Sequence, residues 1–168
     1  YDGIMLLKNT GLLEYIIPEL LKGIGVSQVR PGRHHTEDVF THNVLSLKYC
    51  PSSDPVVRFA TLLHDVGKPY VEGKDQDGLV TFYNHEIVGS RMAKKIAQRL
   101  RLSKKDIDRI FILVRQHMFY YQPENTDASI RRFMRNVGLQ NINDILDLRE
   151  ADRLGSGARE TSWRLEEM

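Results

Sequence analysis

The chain has 168 residues, of which 41% are hydrophobic and 27% are charged, and its formal net charge at pH 7 is +2. This composition is typical of a globular domain with one hydrophobic core, and the small net charge does not by itself indicate nucleic-acid binding. Its single cysteine, Cys50, excludes an internal disulfide framework and cysteine-rich metal motifs, and it fits a reducing cytoplasm.

The predicted elements are helices along almost the whole chain, because apolar residues recur at helical spacing. These segments cover residues 12–17, 18–21, 36–49, 55–66, 84–100, 103–117, 128–136 and 142–154. Pro18, Thr36 and Ser103 are typical of the positions where helices begin, and Glu37 and Asp38 fit an acidic first turn after Thr36. Between Lys68 and Asn84 the chain is rich in turn formers, and the strand-like run 79–83 predicts a small hairpin or ordered loop. We therefore expect an all-α, compact helical bundle.

The sequence also predicts how the chain is divided. We expect an N-terminal helical segment over residues 1–30 that packs on the core, a principal domain over 31–158, and a polar tail over 159–168. The chain opens at Tyr1 and not at a methionine, which we interpret as a fragment of a longer protein. No segment resembles a signal peptide or has the ~18 to 20 consecutive apolar residues of a membrane span. We expect a cytoplasmic protein with no membrane partner.

The most informative stretch is an imidazole and a carboxylate placed at the end of an apolar run. His64 and Asp65 follow residues 59–63 directly and precede Gly67 and Lys68. Burial of such polar groups is costly unless a partner compensates for their desolvation. A divalent cation does so, because it accepts neutral imidazole nitrogen and carboxylate oxygen together.

Further candidate ligands lie on other predicted helices, as expected for a metal site inside a helical bundle. They are His42, His85, His117 and Asp152. Each has an ordinary explanation: a helix-end histidine is commonly a cap or a core group, Asp152 could pair with Arg149 or Arg153, and Lys68 could be solvated. Their combination favours a metal site. Mixed imidazole and carboxylate ligands suit Mn, Fe, Co, Ni or Zn, and Mg fits if water completes its coordination.

The order of these motifs along the chain is similar to that of a known protein family. Residues 63–68, preceded by His42 and followed by Asp152, resemble the HD-domain superfamily of metal-dependent phosphohydrolases. Residues 33–42, 81–86 and 151–155 are similar to the HD domain attached to tRNA nucleotidyltransferase and poly(A) polymerase-like proteins. The Gly-Tyr-Pro element of cyclic-dinucleotide phosphodiesterases is absent. Lys68 also stands where small nucleotidases of the superfamily have a glutamate.

The resemblance implies specific roles for these residues. The implied ligands of one metal are His42, His64, Asp65 and Asp152. His85 and His117 would bind either a second metal or the phosphate. In the corresponding mechanism Asp65 is both a ligand and the proton acceptor or orienter of a water. Lys68 or Arg153 holds the phosphate, and His117 or His85 protonates the leaving oxygen.

Two functions follow as expectations. The first is a metal-dependent phosphohydrolase that acts on phosphorylated nucleotides or RNA ends, with tRNA as a partner of the full-length protein. The alternative is a non-catalytic RNA-binding or interaction module with a structural metal. The basic stretch 91–105 and the aromatic run 119–121 could contact RNA, but a solvated helix face and core packing are the commoner roles. His34 and His35 could bind metal or simply lie in a loop.

Overall fold

A computed structural model describes residues 1–29, 37–119 and 125–157, and most of these residues are helical. The helices are α1 (Asp2–Asn9), α2 (Leu13–Ile16), α3 (Pro18–Leu21), α4 (Val39–Tyr49), α5 (Pro55–Leu63), α6 (His85–Arg99), α7 (Lys104–Gln116), α8 (Asp127–Val137) and α9 (Ile142–Gly155). Short 3₁₀ turns cover Lys68–Tyr70 and Leu139–Asn141. Two strands, β1 (Gly73–Lys74) and β2 (Val80–Thr81), form an antiparallel hairpin with Gly73 opposite Thr81. The prediction of an all-α bundle with a small hairpin is confirmed.

Side-chain caps fix where the central helices begin. Asp38 Oδ1 accepts a hydrogen bond from the Thr41 amide at 2.7 Å, and Asp54 Oδ1 accepts one from the Val56 amide at 2.8 Å. Ser103 caps α7 in the same way, as its sequence position predicts. Each cap satisfies an amide that has no partner within the helix.

Three features of the helices differ from the sequence prediction. Helix α4 begins at Val39, and Asp38, expected inside its first turn, is instead its extended N-cap. Helix α5 ends at Leu63, before the predicted end at residue 66, because His64 is its C-cap and the chain continues in turns through Val66 and Lys68. Helix α1 lies within the N-terminal helical segment expected over residues 1–30, but the apolar spacing did not predict a separate helix there. Helix α1 has no fully buried residue. Its apolar residues therefore do not form the regular buried face by which a helix is predicted from sequence.

The hydrophobic core lies between α4, α5, α6, α7 and α9, with α4 packed along α9 and α6 along α7. Two glycines allow close approach at the helices that carry candidate ligands. A Cβ on Gly155 would lie 2.3 Å from Ser46 Oγ, and a Cβ on Gly67 would lie 2.3 Å from the His85 carbonyl oxygen. These contacts bring α9 against α4, and the turn after α5 against the start of α6.

The N-terminal residues pack on this core from one side. Leu13, Ile17 and Leu20 are buried within it. Ser27 then forms an isolated antiparallel bridge with Asp38 at the start of α4. The boundaries 1–30, 31–158 and 159–168 stay a prediction. Within the described ranges, no helix combines the length and apolar character that crossing a membrane requires.

Candidate metal centre

Four ligand atoms from α4, the end of α5 and α9 converge on one point. His42 Nε2 lies 3.0 Å from His64 Nε2 and 3.1 Å from Asp152 Oδ1. Asp65 Oδ2 lies 3.4 Å from His42 Nε2 and 3.3 Å from His64 Nε2. All four residues are buried. The predicted first set of ligands is therefore brought together.

These separations fit a shared cation. Ligand atoms about 2.0 to 2.2 Å from one ion lie about 3 to 3.5 Å from their neighbours in tetrahedral or octahedral arrangements. The four residues offer two imidazoles and two carboxylates, a donor set that binds divalent transition metals. The residues therefore fit a divalent ion.

A second set of ligand atoms shares Asp65. Its other oxygen, Oδ1, lies 3.2 Å from His85 Nε2 and 3.6 Å from His117 Nε2. The two histidine nitrogens are 3.3 Å apart. This triad satisfies the same geometric condition for a metal site as His42, His64 and Asp65. Asp65 thus faces one histidine pair with each oxygen, as a carboxylate bridging two ions would.

Backbone carbonyls fix the orientation of three of the histidines. The Nδ1 atoms of His64, His85 and His117 lie 2.7, 2.8 and 2.7 Å from the carbonyl oxygens three residues earlier. A carbonyl only accepts hydrogen bonds, so each Nδ1 donates, and the neutral ring then presents the lone pair of Nε2 to the cluster. His64 and His117 are helix C-caps, where carbonyls have no partner within the helix.

The sequence around His85 explains its position. Asn84 precedes α6 with φ of 62°, a left-handed conformation that asparagine tolerates better than most residues. The chain therefore turns immediately before the helix, and His85 becomes its first residue. The close contact of Gly67 with the His85 carbonyl sets this turn beside Asp65.

The electrostatics of the cluster favour a cation. Burial alone would raise the pKa of Asp65, but His64 and Lys68 hold it well below its usual range. Burial likewise opposes ionisation of Asp152, whose pKa His42 and His64 keep well below the usual range. Burial disfavours a charged His64, yet Asp65 and Asp152 raise its pKa to about 10. Two buried carboxylates thus attract positive charge, which a metal supplies in place of that proton.

Burial lowers the pKa of His117, and the nearby His64 and His85 oppose its protonation further, although Asp65 favours it. A neutral His117 keeps the Nε2 lone pair that a ligand needs.

Two basic side chains hold the carboxylates. Arg149 Nη1 donates to Asp152 Oδ2 at 2.5 Å, while Oδ1 faces the histidines. The sequence left open whether Asp152 forms an ion pair or binds a metal. Because each role uses a different oxygen, Asp152 can do both. Lys68 is buried and not solvated, with Nζ 2.5 Å from Asp65 Oδ2. Lys68 Nζ also donates to Gln28 Oε1, a contact for which no motif in the sequence gives a signal.

Other candidates lie apart from the cluster. Arg153 is half-buried, and its carbonyl oxygen accepts a hydrogen bond from the Ser156 amide at the end of α9. Phe119 packs on Phe133 with ring centroids 4.6 Å apart, which is core packing. The basic side chains of the stretch 91–105 are exposed. His34, His35, Tyr120 and Tyr121 lie outside the described residues.

A model of the family described as "HD domain" matches residues 34–156. The chain belongs to the HD-domain family. It is similar to an A-adding tRNA nucleotidyltransferase of Deinococcus radiodurans, with 39% identity over 156 residues. It is also similar to a CC-adding tRNA nucleotidyltransferase of Thermus thermophilus, with 33% identity over 169 residues. The matches cover 90% and 97% of this chain, but the chain spans only 35% and 38% of those relatives.

A third relative is less similar in sequence. A multifunctional CCA protein of Halorhodospira halophila is 28% identical over 95% of this chain and 39% of the relative. Family membership and the histidine–aspartate cluster agree on the cofactor of this HD domain, which is a divalent metal ion.

Proposed function

We propose that this HD domain is a metal-dependent phosphohydrolase that acts on nucleotides or RNA ends. The observation that carries the proposal is the position of Asp65 between two histidine pairs, with one oxygen 3.3 Å from His64 Nε2 and the other 3.2 Å from His85 Nε2. Such a buried cluster of imidazoles and carboxylates is typical of sites that bind a phosphoryl group through divalent ions.

The proposed metal ligands are His42, His64, Asp65 and Asp152, with His85 and His117 holding a second ion or the phosphate. When bound, a divalent ion supplies a Lewis acid for the phosphoryl oxygens and lowers the pKa of water. Its identity is Mn, Fe, Co, Ni or Zn by ligand type, and Mg if water fills the remaining positions.

The remaining roles follow from charge. A carboxylate held ionised by His64 and Lys68 is a weak base, so Asp65 acts as a ligand that orients the attacking water. Lys68 keeps Asp65 in place and offers positive charge to a phosphate. The neutral state of His117 supports the ligand role over donation of a proton to the leaving oxygen.

The substrate class is proposed from the relatives. Two of them are named as tRNA nucleotidyltransferases, so we infer that the domain meets nucleotides or RNA ends, and tRNA when it belongs to a longer protein. We propose a cytoplasmic location on the same ground.

Metal-loaded protein incubated with nitrophenyl phosphate, its diester and a cyclic nucleotide tests the proposal. We expect hydrolysis that EDTA abolishes, and a loss of about 100-fold or more in His64→Ala, because a ligand of the ion is removed. The matched control is Asp77→Asn, which changes an exposed acid on the hairpin and leaves turnover unchanged. A protein that binds metal stoichiometrically but hydrolyses none of these esters contradicts the proposal.

One observation favours the second candidate function, an RNA-binding module with a structural metal. Seven basic side chains of α6 and the start of α7 are exposed: Arg91, Lys94, Lys95, Arg99, Arg101, Lys104 and Lys105. Of these, Arg99 pairs with Glu19. Clustered positive charge of this kind attracts a phosphate backbone. Salt-sensitive tRNA binding without ester hydrolysis would support this function over the first.

A further inference from the structure

We propose that Gln28 is a phosphate-binding residue of this centre, donating a hydrogen bond from Nε2 to an oxygen of the bound phosphoryl group. The inference deepens the proposed function and depends on it only for phosphate binding at the metal centre. Gln28 precedes residues 34–156, the part of the chain that matches the HD-domain family. The N-terminal segment would therefore complete the site.

The position of Gln28 follows from one chain of contacts. Its Oε1 accepts a hydrogen bond from Lys68 Nζ, and Lys68 Nζ lies 2.5 Å from Asp65 Oδ2. Gln28 is thus separated from the bridging carboxylate by a single ammonium group. Gln28 is 3% exposed, so it is buried in the protein beside Lys68.

The contact with Lys68 leaves the amide nitrogen of Gln28, and not its oxygen, available to bind a ligand. An ammonium group only donates hydrogen bonds, so the atom of Gln28 that faces Lys68 must be the oxygen. The amide nitrogen, Nε2, is buried and has no hydrogen-bond partner among the described residues. Buried donors are nearly always satisfied, and an N–H₂ group requires an acceptor.

The charges around Gln28 indicate what kind of group accepts a hydrogen bond from Nε2. Lys68 is positive, and a divalent ion bound by the cluster would outweigh the negative charge of Asp65 nearby, so an anionic ligand is favoured beside Gln28. A phosphoryl group has several oxygens, which allows it to contact a metal and accept from an amide at the same time. A free cation does not fit, since Nε2 has no lone pair to offer.

The backbone holds Gln28 at this position. Ser27 bridges to Asp38 in an antiparallel arrangement, and the Val39 amide donates to the Val26 carbonyl oxygen at 3.0 Å. Both contacts attach the segment to the start of α4, the helix that carries His42. Gln28 is therefore placed by the same helix that places a proposed metal ligand.

The test compares phosphate binding in the full chain and in Gln28→Met, which preserves side-chain length and removes the amide. Inorganic phosphate is titrated into Mn²⁺-loaded protein, and binding is followed by ³¹P line broadening. We expect an affinity about tenfold or more weaker in the variant, because a hydrogen bond to a charged ligand is lost. Metal content should be unchanged, which separates this role from a metal ligand.

Val29→Ala is the matched control, since Val29 is the exposed neighbour of Gln28, and its phosphate affinity should equal that of the unmodified protein. If Gln28→Met does not fold, the inference is tested by NMR on the unmodified Zn²⁺-loaded protein. Addition of phosphate should then shift the ¹H–¹⁵N signals of the Gln28 side-chain amide. Equal phosphate affinity in Gln28→Met, or no shift of those signals at saturation, overturns the inference. Phosphate binding without ester hydrolysis contradicts the proposed function alone.

Discussion

The two oxygens of Asp65 face different histidine pairs, and this single residue links both halves of the cluster. Oδ2 lies near His42 and His64, while Oδ1 lies near His85 and His117. Replacing the residue therefore affects both sets of ligands, whereas replacing a histidine affects one.

Asp65→Asn tests this difference at the residue scale. The amide keeps the shape of the side chain but loses the negative charge that binds cations. We expect metal content to fall to near zero by elemental analysis after desalting. An Asp77→Asn variant serves as the control, and metal retention in Asp65→Asn would contradict the bridging role.

His117→Ala tests the second set of ligands separately. Removing His117 Nε2 leaves His42, His64, Asp65 and Asp152 in place. If two ions bind, native mass spectrometry should show two in the unmodified protein and one in the variant. An unchanged ratio in the variant would assign His117 to the phosphate and not to a metal.

Asp54 gives a prediction about pH at a position away from the cluster. Burial alone would raise its pKa, but the Val56 amide and Arg109 lower it below the ordinary value. A lowered pKa in the folded state adds stability above the unfolded-state pKa, and this stability is lost as pH falls through the folded-state value.

Asp54→Asn keeps an oxygen that can cap the Val56 amide but loses the charge that pairs with Arg109. We therefore expect a loss of about 0.2 to 1 kcal/mol of unfolding free energy at neutral pH, and a smaller loss as the pH becomes acidic. Urea unfolding of metal-free protein at several pH values measures the difference. Asp127→Asn, at a carboxylate with 87% side-chain exposure, is the control. A cost independent of pH would contradict the argument.

At the scale of elements, the helices were largely predictable because periodicity and caps are local properties. Ser103 and Asp54 both cap the helices expected to follow them. The early end of α5 was not predictable, since it depends on His64 turning toward the Thr61 carbonyl. Periodicity does not detect such a side-chain contact.

The glycine contacts between elements give a further prediction. An alanine at Gly155 would place Cβ 2.3 Å from Ser46 Oγ and 2.7 Å from Ser46 N, and part of this contact is backbone. We expect Gly155→Ala to lower the unfolding free energy by about 1 to 3 kcal/mol through overpacking, measured by urea denaturation. Gly3→Ala, with nothing within 4 Å, should not destabilise, and equal stability of the two variants would contradict the prediction.

For the whole molecule, the sequence predicted residues that the fold brings close together but not how they are arranged, and their role as metal ligands stays a prediction. His42, His64 and Asp152 were found because residue chemistry and motif order are readable along the chain. The division of Asp65 between two histidine pairs, and the contact of Gln28 with Lys68, depend on how distant helices pack. No local pattern encodes those distances.

The ligand set also predicts the effect of metal on stability. An ion that binds only the folded chain stabilises it by about 2.7 kcal/mol at a free concentration 100 times its dissociation constant. We expect Mn²⁺ to raise the thermal midpoint and EDTA to reverse this, while His64→Ala responds less. A midpoint insensitive to both would contradict metal binding at this centre.

The attachment of α9 to α4 through the Gly155–Ser46 contact has a consequence for biosynthesis. His42 and Asp152 sit on these two helices, so during synthesis the proposed ligand set stays incomplete until α9 has left the ribosome and packed on α4. We therefore expect an ion bound through all four residues only after these two helices have joined.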